Sequence, residues 1–177
     1  MSFPSITYQK KIIPDAYHGT TLQQAEEICG LNIFRKTSYE DSYLGDGVYF
    51  YESSYISAKE WSEKKYGEDA QAVVLKCSID LGKCFDLHNK EHQQILATVS
   101  SYLRERVDNV TDAFAINYLA TNIVVDIDTV RCPFVKKSSR FSKIFSGSRI
   151  YINSEIYICV RNLAQILSVQ ILSREEP

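Results

Sequence analysis

The sequence predicts an α+β fold, because its strand-like and helix-like segments are grouped rather than alternating. Segments rich in β-branched and aromatic residues, which are typical of strands, dominate both ends of the chain. Segments with apolar residues three or four positions apart, which are typical of helices, lie early and in the middle. Regular alternation of strand and helix would instead indicate a parallel sheet. The chain has 177 residues and no linker rich in Pro, Gly or Ser, so residues 1–177 are predicted to form one domain.

The first predicted elements are a strand and a helix that follow each other directly. The strand covers residues 11–17 and leads to a turn at Gly19. Thr20 is predicted to cap the helix, with Gln23 as its capping-box partner. Apolar residues then recur at helical spacing, and Gly30 is predicted to end the helix in the left-handed conformation.

The next elements follow a polar, turn-rich stretch at residues 35–46. A brief strand is predicted at 47–51, and a helix at 57–66 has apolar residues on one side. Residues 72–79 alternate in polarity and are rich in β-branched residues, which predicts a central strand. The longest helical pattern follows at 91–107.

The last part of the chain is predicted to return to strands. A second helix is predicted at 112–121, directly after the long helical pattern. Three short apolar segments follow and are predicted to be strands: 123–127, 155–160 and 168–172.

The composition matches an ordinary globular protein, with 45% hydrophobic and 24% charged residues. The net charge of −2 gives no overall field that would attract nucleic acid or an anionic membrane. No apolar run reaches the ~18 residues that a spanning helix needs, and residues 1–14 lack the apolar core of a signal peptide. The five cysteines contain no C-x-x-C pair, which argues against a zinc site or a disulfide framework. A cytoplasmic protein is therefore predicted.

Three segments far apart in the chain stand out when they are read together. Residues 17–21 read Tyr-His-Gly-Thr-Thr, residues 43–50 read Tyr-Leu-Gly-Asp-Gly-Val-Tyr-Phe, and residues 153–158 read Asn-Ser-Glu-Ile-Tyr-Ile. In this order they resemble the ADP-ribosyltransferase superfamily, in its diphtheria-toxin-like and poly(ADP-ribose) polymerase-like branch. That branch has a His-Gly-Ser/Thr strand, a Gly-x-Gly-Ile/Val-Tyr-Phe segment and a late strand that starts with Glu.

The resemblance covers both ends of the chain and most of its first half. It includes the helix after the first motif, the Ser-Ala pair at 57–58, the strand at 72–77 and the stretch at 163–166. Residues 88–130 are not matched, and their helical part, 88–122, is expected to be an insertion. The resemblance implies two packed, mostly antiparallel sheets that form an NAD cleft with flanking helices.

The resemblance also implies the reaction, which is transfer of ADP-ribose from NAD with release of nicotinamide. Because nicotinamide in NAD is already a cationic leaving group, no strong general acid is required. The barrier lies in forming an oxocarbenium-like ribose, as in glycoside cleavage. The site must therefore hold the leaving group, orient the ribose and place negative charge near the developing cation. No metal enters this scheme.

By resemblance, the catalytic residues are His18, Tyr49 and Glu155. His18 hydrogen-bonds the adenine-side ribose, Tyr49 stacks on the cationic nicotinamide ring, and Glu155 accepts a hydrogen bond from the ribose 2′-hydroxyl. The backbone of Gly19 pairs with the nicotinamide amide, since glycine allows that close approach. The other positions assigned to the NAD site are Thr20, Tyr39, Tyr43, Gly47 and Ser57. Of these, Tyr39 or Tyr43 is expected to close the far side of the nicotinamide.

The third motif leaves one point open. It reads Glu-Ile-Tyr, whereas the polymerases have Glu-Tyr-Ile. Tyr157 shares a strand face with Glu155, because strand side chains alternate with period two. A shifted register would therefore place Tyr157 in the site.

The segment before the third motif, residues 131–149, has the composition of a binding segment for single-stranded RNA or DNA. It has three phenylalanines and no acidic residue. Basic side chains follow phosphates, and aromatic rings stack on unpaired bases. In the superfamily this region commonly contacts the acceptor, so the candidate acceptor-binding residues are Arg131, Lys136, Lys137, Arg140, Lys143 and Arg149. An acidic protein, the NAD pyrophosphate, or a solvated loop anchored by buried phenylalanines would also account for this composition.

Transfer of a single ADP-ribose unit is the predicted outcome. Arginine-directed members of the superfamily carry a Glu-x-Glu pair, whereas Asn153 precedes Glu155 here. The accessory helical domain of the large polymerases is absent from the sequence, which disfavours polymer elongation. By family analogy alone, a small enzyme of this kind is a toxin or effector with a neutralising antitoxin or inhibitor protein as partner.

Four alternatives remain at this point. In the first, the acceptor is a protein. In the second, the acceptor is water and the enzyme is an NAD glycohydrolase. The domain would be an inactive NAD- or ADP-ribose-binding module if Glu155 faces away from the cleft. An RNA 2′-phosphotransferase also begins with His-Gly-Thr, but it needs further Arg and His residues, and only His88 and His92 remain.

Overall fold

The computed structural model describes residues 8, 10–31, 33–37, 42–67, 71–124, 126–135 and 154–172. The described chain forms four α-helices and a seven-stranded sheet, so the predicted α+β class is confirmed. The helices are α1 (Leu22–Leu31), α2 (Tyr55–Tyr66), α3 (Lys90–Arg104) and α4 (Asp112–Asn122). The strands are β1 (Ile12–Thr21), β2 (Val48–Glu52), β3 (Ala72–Asp80), β4 (Cys84–Asp86), β5 (Thr129–Val135), β6 (Ser154–Val160) and β7 (Ile166–Leu172). None of the described helices is long and apolar enough to cross a membrane.

The strands lie in the order β4-β5-β6-β2-β1-β3-β7. The pair β4–β5 is parallel, and every other neighbouring pair is antiparallel. Strand β3 was predicted to be central, and it lies inside the described sheet, paired with β1 on one side and β7 on the other. The described strands also form one sheet, whereas the resemblance implied two.

Strands β1 and β2, in the middle of this sheet, share only a short paired segment. Strand β1 pairs with β2 only at Ala16–Glu52 and Tyr17–Tyr51, and these two pairs are called the joint. Beyond the joint, β1 continues along β3 as far as Thr21, while β2 continues along β6. The sheet therefore consists of two half-sheets, β4-β5-β6-β2 and β1-β3-β7, which separate beyond Tyr17.

Each face of the sheet carries its own helices and its own core. On one face, Ala25 and Ile28 of α1 pack on residues of β1, β2, β3, β6 and β7 in the first core. On the other face, α3 and α4 pack on β4, β5 and β6 in the second core. Helix α2 also lies on this second face, against Gly19 of β1. The second face therefore has α2 over one half-sheet and the α3–α4 pair over the other.

The amphipathic pattern accounts well for the middle helices. In α3 the buried residues are His92, Ile95, Val99 and Leu103, which recur every three or four positions. Asn89 caps this helix by accepting a hydrogen bond from the backbone of Glu91. Both α3 and α4 contribute to the second core, so the unmatched middle of the chain supports the half-sheet that contains β6.

Several predicted boundaries were wrong for identifiable local reasons. The cap of α1 is Thr21, whose Oγ1 accepts a hydrogen bond from Gln24 at 3.3 Å, one residue later than predicted. Gly30 does not end the helix, which continues to Leu31, and its φ is not positive. The described residues of the strand predicted at 123–127 are not in a strand, because Ile123 caps α4 and Asp126 has a φ of 81°.

Strands β4 and β5 were not predicted from the sequence. Strand β4 has only three residues, too few to show an alternating pattern. Strand β5 occupies residues 129–135, so the predicted acceptor segment begins inside the sheet rather than as a loop.

Candidate functional site

The carboxylate of Glu155 is the centre of the candidate site. Glu155 is the second residue of β6, and it is 8% exposed. Its Oε1 accepts a hydrogen bond from the hydroxyl of Ser57, and its Oε2 accepts one from the hydroxyl of Tyr157 at 2.9 Å. Burial raises the pKa of Tyr157, so its hydroxyl remains a donor near neutral pH. Glu155 and Tyr157 thus lie on the same face of β6, as the period of two predicts, and they are hydrogen-bonded to each other.

Ser57 is placed by the first turn of α2. Ser54 is the N-cap of this 12-residue helix, and its Oγ accepts a hydrogen bond from the backbone N–H of Ser57. The hydroxyl of Ser54 also donates to Oγ of Ser57 at 2.8 Å. Because helix N-termini carry partial positive charge, a carboxylate beside this turn is favoured electrostatically as well as by its hydrogen bonds.

Gly19 allows α2 to lie against the sheet. A Cβ atom at this position would overlap the carbonyl oxygen of Ala58 and would lie 2.9 Å from Cβ of Ser62. Ala58 and Ser62 are both completely buried. The absence of a side chain at Gly19 therefore brings α2, and with it Ser57, close to β1. Gly19, Ser57 and Glu155 are three predicted site residues that the fold brings together.

We expect Gly19→Ala to destabilise the fold by about 1–3 kcal/mol, because α2 must move away from β1 to admit the methyl group. Chemical denaturation measures this change. Gly30→Ala is the matched control, since a Cβ at Gly30 has open space around it and alanine favours the helix. A Gly19→Ala variant as stable as the Gly30→Ala variant would contradict the packing described for α2.

A row of aromatic rings leads from Glu155 towards solvent on the same face. Tyr51, Tyr157, Phe134 and Tyr43 form this aromatic row, with centroid separations of 4.9, 4.9 and 6.0 Å between successive rings. The register of β5 and β6 places Phe134 directly opposite Glu155. Tyr43, at the outer end, is 67% exposed. The row therefore joins an open surface to the carboxylate.

The hydroxyl of Tyr49, whose ring was predicted to stack on nicotinamide, holds the loop at Leu44 and Gly45. Its hydroxyl donates to the carbonyl oxygen of Gly45 at 2.7 Å and accepts from the backbone N–H of Leu44 at 2.8 Å. The ring is half-buried against the second core. Burial raises the pKa of Tyr49, which keeps this donor in place. The aromatic neighbours of Glu155 are instead members of the aromatic row.

His18 lies just beyond the joint, with its ring on the first-core side of the sheet. The ring packs on Phe34 and Phe50 at centroid distances of 5.8 and 5.5 Å. Its Nδ1 is 2.8 Å from the carbonyl oxygen of Tyr49 on β2, so Nδ1 carries the proton and donates. Burial lowers the pKa of His18, which favours the neutral ring. In this tautomer Nε2 is a hydrogen-bond acceptor. The three predicted catalytic side chains therefore do not share one face, since Tyr49 and Glu155 lie on the opposite side from the His18 ring.

Arg131 is an internal cation and not a surface contact for an acceptor. Its Nε and Nη2 donate to the two carboxylate oxygens of Glu52 at 2.6 and 3.0 Å, and its Nη1 donates to Asp86 at 3.0 Å. Its side chain is only 10% exposed. The hydrogen bonds that Arg131 donates to Glu52 raise the pKa of Arg131. The other predicted acceptor residues lie outside the described chain: Lys136, Lys137, Arg140, Lys143 and Arg149.

Three predicted NAD-site residues remain: Thr20, Gly47 and Tyr39. The hydroxyl of Thr20 donates to the side chain of Gln24 at 2.6 Å, and the residue is buried. A Cβ atom at Gly47 would lie 2.5 Å from Sγ of Cys159, so close packing alone requires this glycine. Tyr39 lies outside the described residues.

Sequence reasoning missed the contribution of Tyr51 and Phe134 to this surface. A signal was present, because Tyr49 and Tyr51 are separated by two positions, as are Glu155 and Tyr157. Residues with this spacing share a strand face. The pairing of β2 with β6, which aligns Tyr51 with Tyr157, could not be predicted from the sequence.

Two large surface cavities of about 700 and 680 Å³ lie elsewhere on the protein, and Glu155 lines neither. The first is lined by charges of both signs, including Lys83, Asp126 and Arg161. The second lies between α2 and the strands β3 and β7.

Comparison with known proteins gives a distant similarity. No family model matches the chain. The chain is similar to the uncharacterized protein MJ0359 of Methanocaldococcus jannaschii, with 24% identity over 181 aligned positions. The alignment covers 87% of this chain and 85% of that protein, so the similarity extends over most of both.

Proposed function

We propose that the protein is an NAD-dependent mono-ADP-ribosyltransferase in which Glu155 stabilises the reacting ribose. The contact between Ser57 and Glu155, which are 98 residues apart in sequence, is the observation that carries the proposal. Both residues were assigned to the site by resemblance before their contact was known. Gly19, a third such residue, packs directly against the turn of α2 that follows Ser57.

The surroundings of Glu155 suit a reaction that develops positive charge. Its carboxylate oxygens accept hydrogen bonds from the hydroxyls of Ser57 and Tyr157, and it lies beside the N-terminal turn of α2. A carboxylate held in one orientation stabilises a cation that forms in front of it, and it needs little rearrangement during the reaction. The ribose 2′-hydroxyl is the expected donor to this carboxylate in the bound complex.

The proposed reaction divides the work among few residues. The backbone of Gly19 holds the nicotinamide amide. His18 acts from the other face of the sheet, where its ring packs on Phe34 and Phe50 and its Nδ1 joins β1 to β2 through the carbonyl oxygen of Tyr49. The bond between C1′ of the ribose and the nicotinamide nitrogen breaks, and nicotinamide leaves as a neutral molecule with the bonding electrons. The acceptor then attacks C1′ and releases its proton. Glu155 balances the positive charge on the ribose between these events.

We expect Tyr157→Phe to lower the kcat of nicotinamide release about three- to tenfold with little change in KM. The variant keeps the ring contacts with Tyr51 and Phe134 but removes the hydroxyl that orients Glu155. One hydrogen bond to a charged group contributes about 1.5–3 kcal/mol, part of which water replaces. Steady-state kinetics over a pH range separates this positioning role from a structural one. An unchanged kcat and pH profile would show that the hydroxyl does not position Glu155.

The proposal is tested by incubating the purified protein with NAD labelled in the adenylate and by measuring free nicotinamide. Release of nicotinamide with label in a macromolecule supports it. Free ADP-ribose alone would make the protein an NAD glycohydrolase, and binding of NAD without release would make it a binding module. Removal of a 2′-phosphate from RNA, in the presence of NAD, would instead identify a phosphotransferase.

A further inference from the structure

We infer that the aromatic row is the acceptor subsite and that it takes a base of a single-stranded nucleic acid. The inference rests on the proposed function, since it names the molecule that receives ADP-ribose. It concerns Tyr43 and Phe134, which form the outer half of the row.

The geometry of the row directs an acceptor to Glu155. At the inner end, Tyr157 is hydrogen-bonded to Glu155, and its ring is 4.9 Å from that of Phe134. Phe134 lies opposite Glu155 across the β5–β6 pair, and neighbouring strands are about 4.8 Å apart. A flat ring stacked at Phe134 therefore lies next to the ribose that Glu155 contacts.

The exposure of the row identifies where that ring enters. Tyr43 packs edge-on against Phe134 with a centroid separation of 6.0 Å, yet it is 67% exposed. A large aromatic side chain in such a position offers a stacking surface to a molecule from solvent. Every nucleobase has a flat π-face, and stacking on an aromatic side chain contributes about 1–3 kcal/mol per base.

Charge complementarity favours a nucleic acid over a protein acceptor. Strand β5 ends at Val135, beside β6, and the sequence from 136 to 149 then contains five Lys or Arg residues and no Asp or Glu. This count omits Arg131, which is neutralised internally by Glu52 and Asp86. Cationic side chains together with aromatic rings suit a phosphate backbone with unpaired bases. An acidic sequence would be expected beside a subsite for a basic protein.

Transfer of ADP-ribose to a base forms one bond and breaks one bond at C1′ of the ribose. A ring or exocyclic nitrogen, or an oxygen, of the base forms a bond with C1′ of the ribose. The bond from C1′ to nicotinamide breaks, and nicotinamide leaves with the electron pair. The attacking atom loses its proton to water, so the products are the ADP-ribosylated base, nicotinamide and a proton.

The test uses the purified full chain with NAD labelled in the adenylate and separate single-stranded RNA, single-stranded DNA, duplex DNA and protein acceptors. We expect label in one of the single-stranded nucleic acids and little in duplex DNA. Tyr43→Ala is expected to lower the ratio of labelled nucleic acid to free ADP-ribose about tenfold, and Tyr43→Trp is expected to restore it. Leu167→Ala is the matched control, because Leu167 is 54% exposed on β7, an edge strand far from β5 in the sheet order.

Each outcome decides between the two proposals. Label on protein only, or free ADP-ribose with no labelled acceptor, overturns the nucleic-acid inference but leaves NAD cleavage in place. An equal fall in the ratio for Tyr43→Ala and Leu167→Ala also overturns it. The absence of nicotinamide release with every acceptor overturns the proposed function itself.

Discussion

Replacing Glu155 by glutamine is expected to lower the rate of nicotinamide release about a hundredfold or more. Glutamine has nearly the same shape and still accepts a hydrogen bond from Ser57 or Tyr157. It lacks the negative charge that opposes the positive charge on the ribose. Loss of one such preorganised interaction commonly costs about 2.7–4 kcal/mol of transition-state stabilisation. The fall is therefore expected in kcat, while NAD still binds.

The measurement combines nicotinamide release with NAD binding by calorimetry. Glu63→Gln on the exposed side of α2 is the matched control, because it makes the same change in charge away from the carboxylate site. We expect Glu63→Gln to behave like the natural sequence in both assays. Unchanged turnover by Glu155→Gln would remove this residue from the mechanism. Loss of NAD binding in Glu155→Gln would assign it to binding and not to the transition state.

Replacing Arg131 by alanine is expected to destabilise the fold by about 3–5 kcal/mol. The ion pair of Arg131 with Glu52 is bidentate, and the two side chains are only 10% and 12% exposed. Removing the guanidinium leaves the Glu52 carboxylate paired with Lys11 at 3.7 Å, whose side chain is half-exposed. A largely buried carboxylate that exchanges a bidentate partner for this looser one is costly, which is why the effect exceeds that of a surface pair. Urea denaturation gives the change in unfolding free energy.

A surface ion pair provides the comparison for this variant. Arg35 lies 3.9 Å from Glu27, and its side chain is 84% exposed. Arg35→Ala is therefore expected to change the unfolding free energy by less than about 1 kcal/mol. The double variant Arg131→Met with Glu52→Leu should recover much of the stability lost in Arg131→Ala, since it removes both charges together. Equal effects of Arg131→Ala and Arg35→Ala would contradict the buried position of Arg131.

Features that depend on nearby residues were predictable from the sequence. The buried residues of α3 recur at helical spacing, so the helix was predicted close to its observed bounds. The helix at α2 was predicted for the same reason, although its first turn, with Ser54 as cap, was not recognised. A cap depends on a single hydrogen bond, and the sequence does not show which of several serines forms it.

Features that depend on distant residues were not predictable. Arg131 looked like part of a basic surface segment, because its two carboxylate partners are 79 and 45 residues away in sequence. The strand order likewise comes from pairing between remote segments, such as β2 with β6, which the sequence pattern does not show. For the candidate site, the motifs predicted Glu155 and Ser57 but not the neighbouring rings of Tyr51 and Phe134. Those neighbours follow from the register of β2, β5 and β6.

The joint between the half-sheets gives the domain an uneven stiffness. On the side of α1, Phe50 and Leu75 belong to one continuous apolar layer that spans both half-sheets and resists bending. On the opposite side, α2 and the α3–α4 pair rest on different half-sheets, which share only two strand pairs at the joint. On this side the hydrogen bond between Ser57 and Glu155 also links the two half-sheets, so the seat of α2 on β1 decides whether the carboxylate keeps this partner.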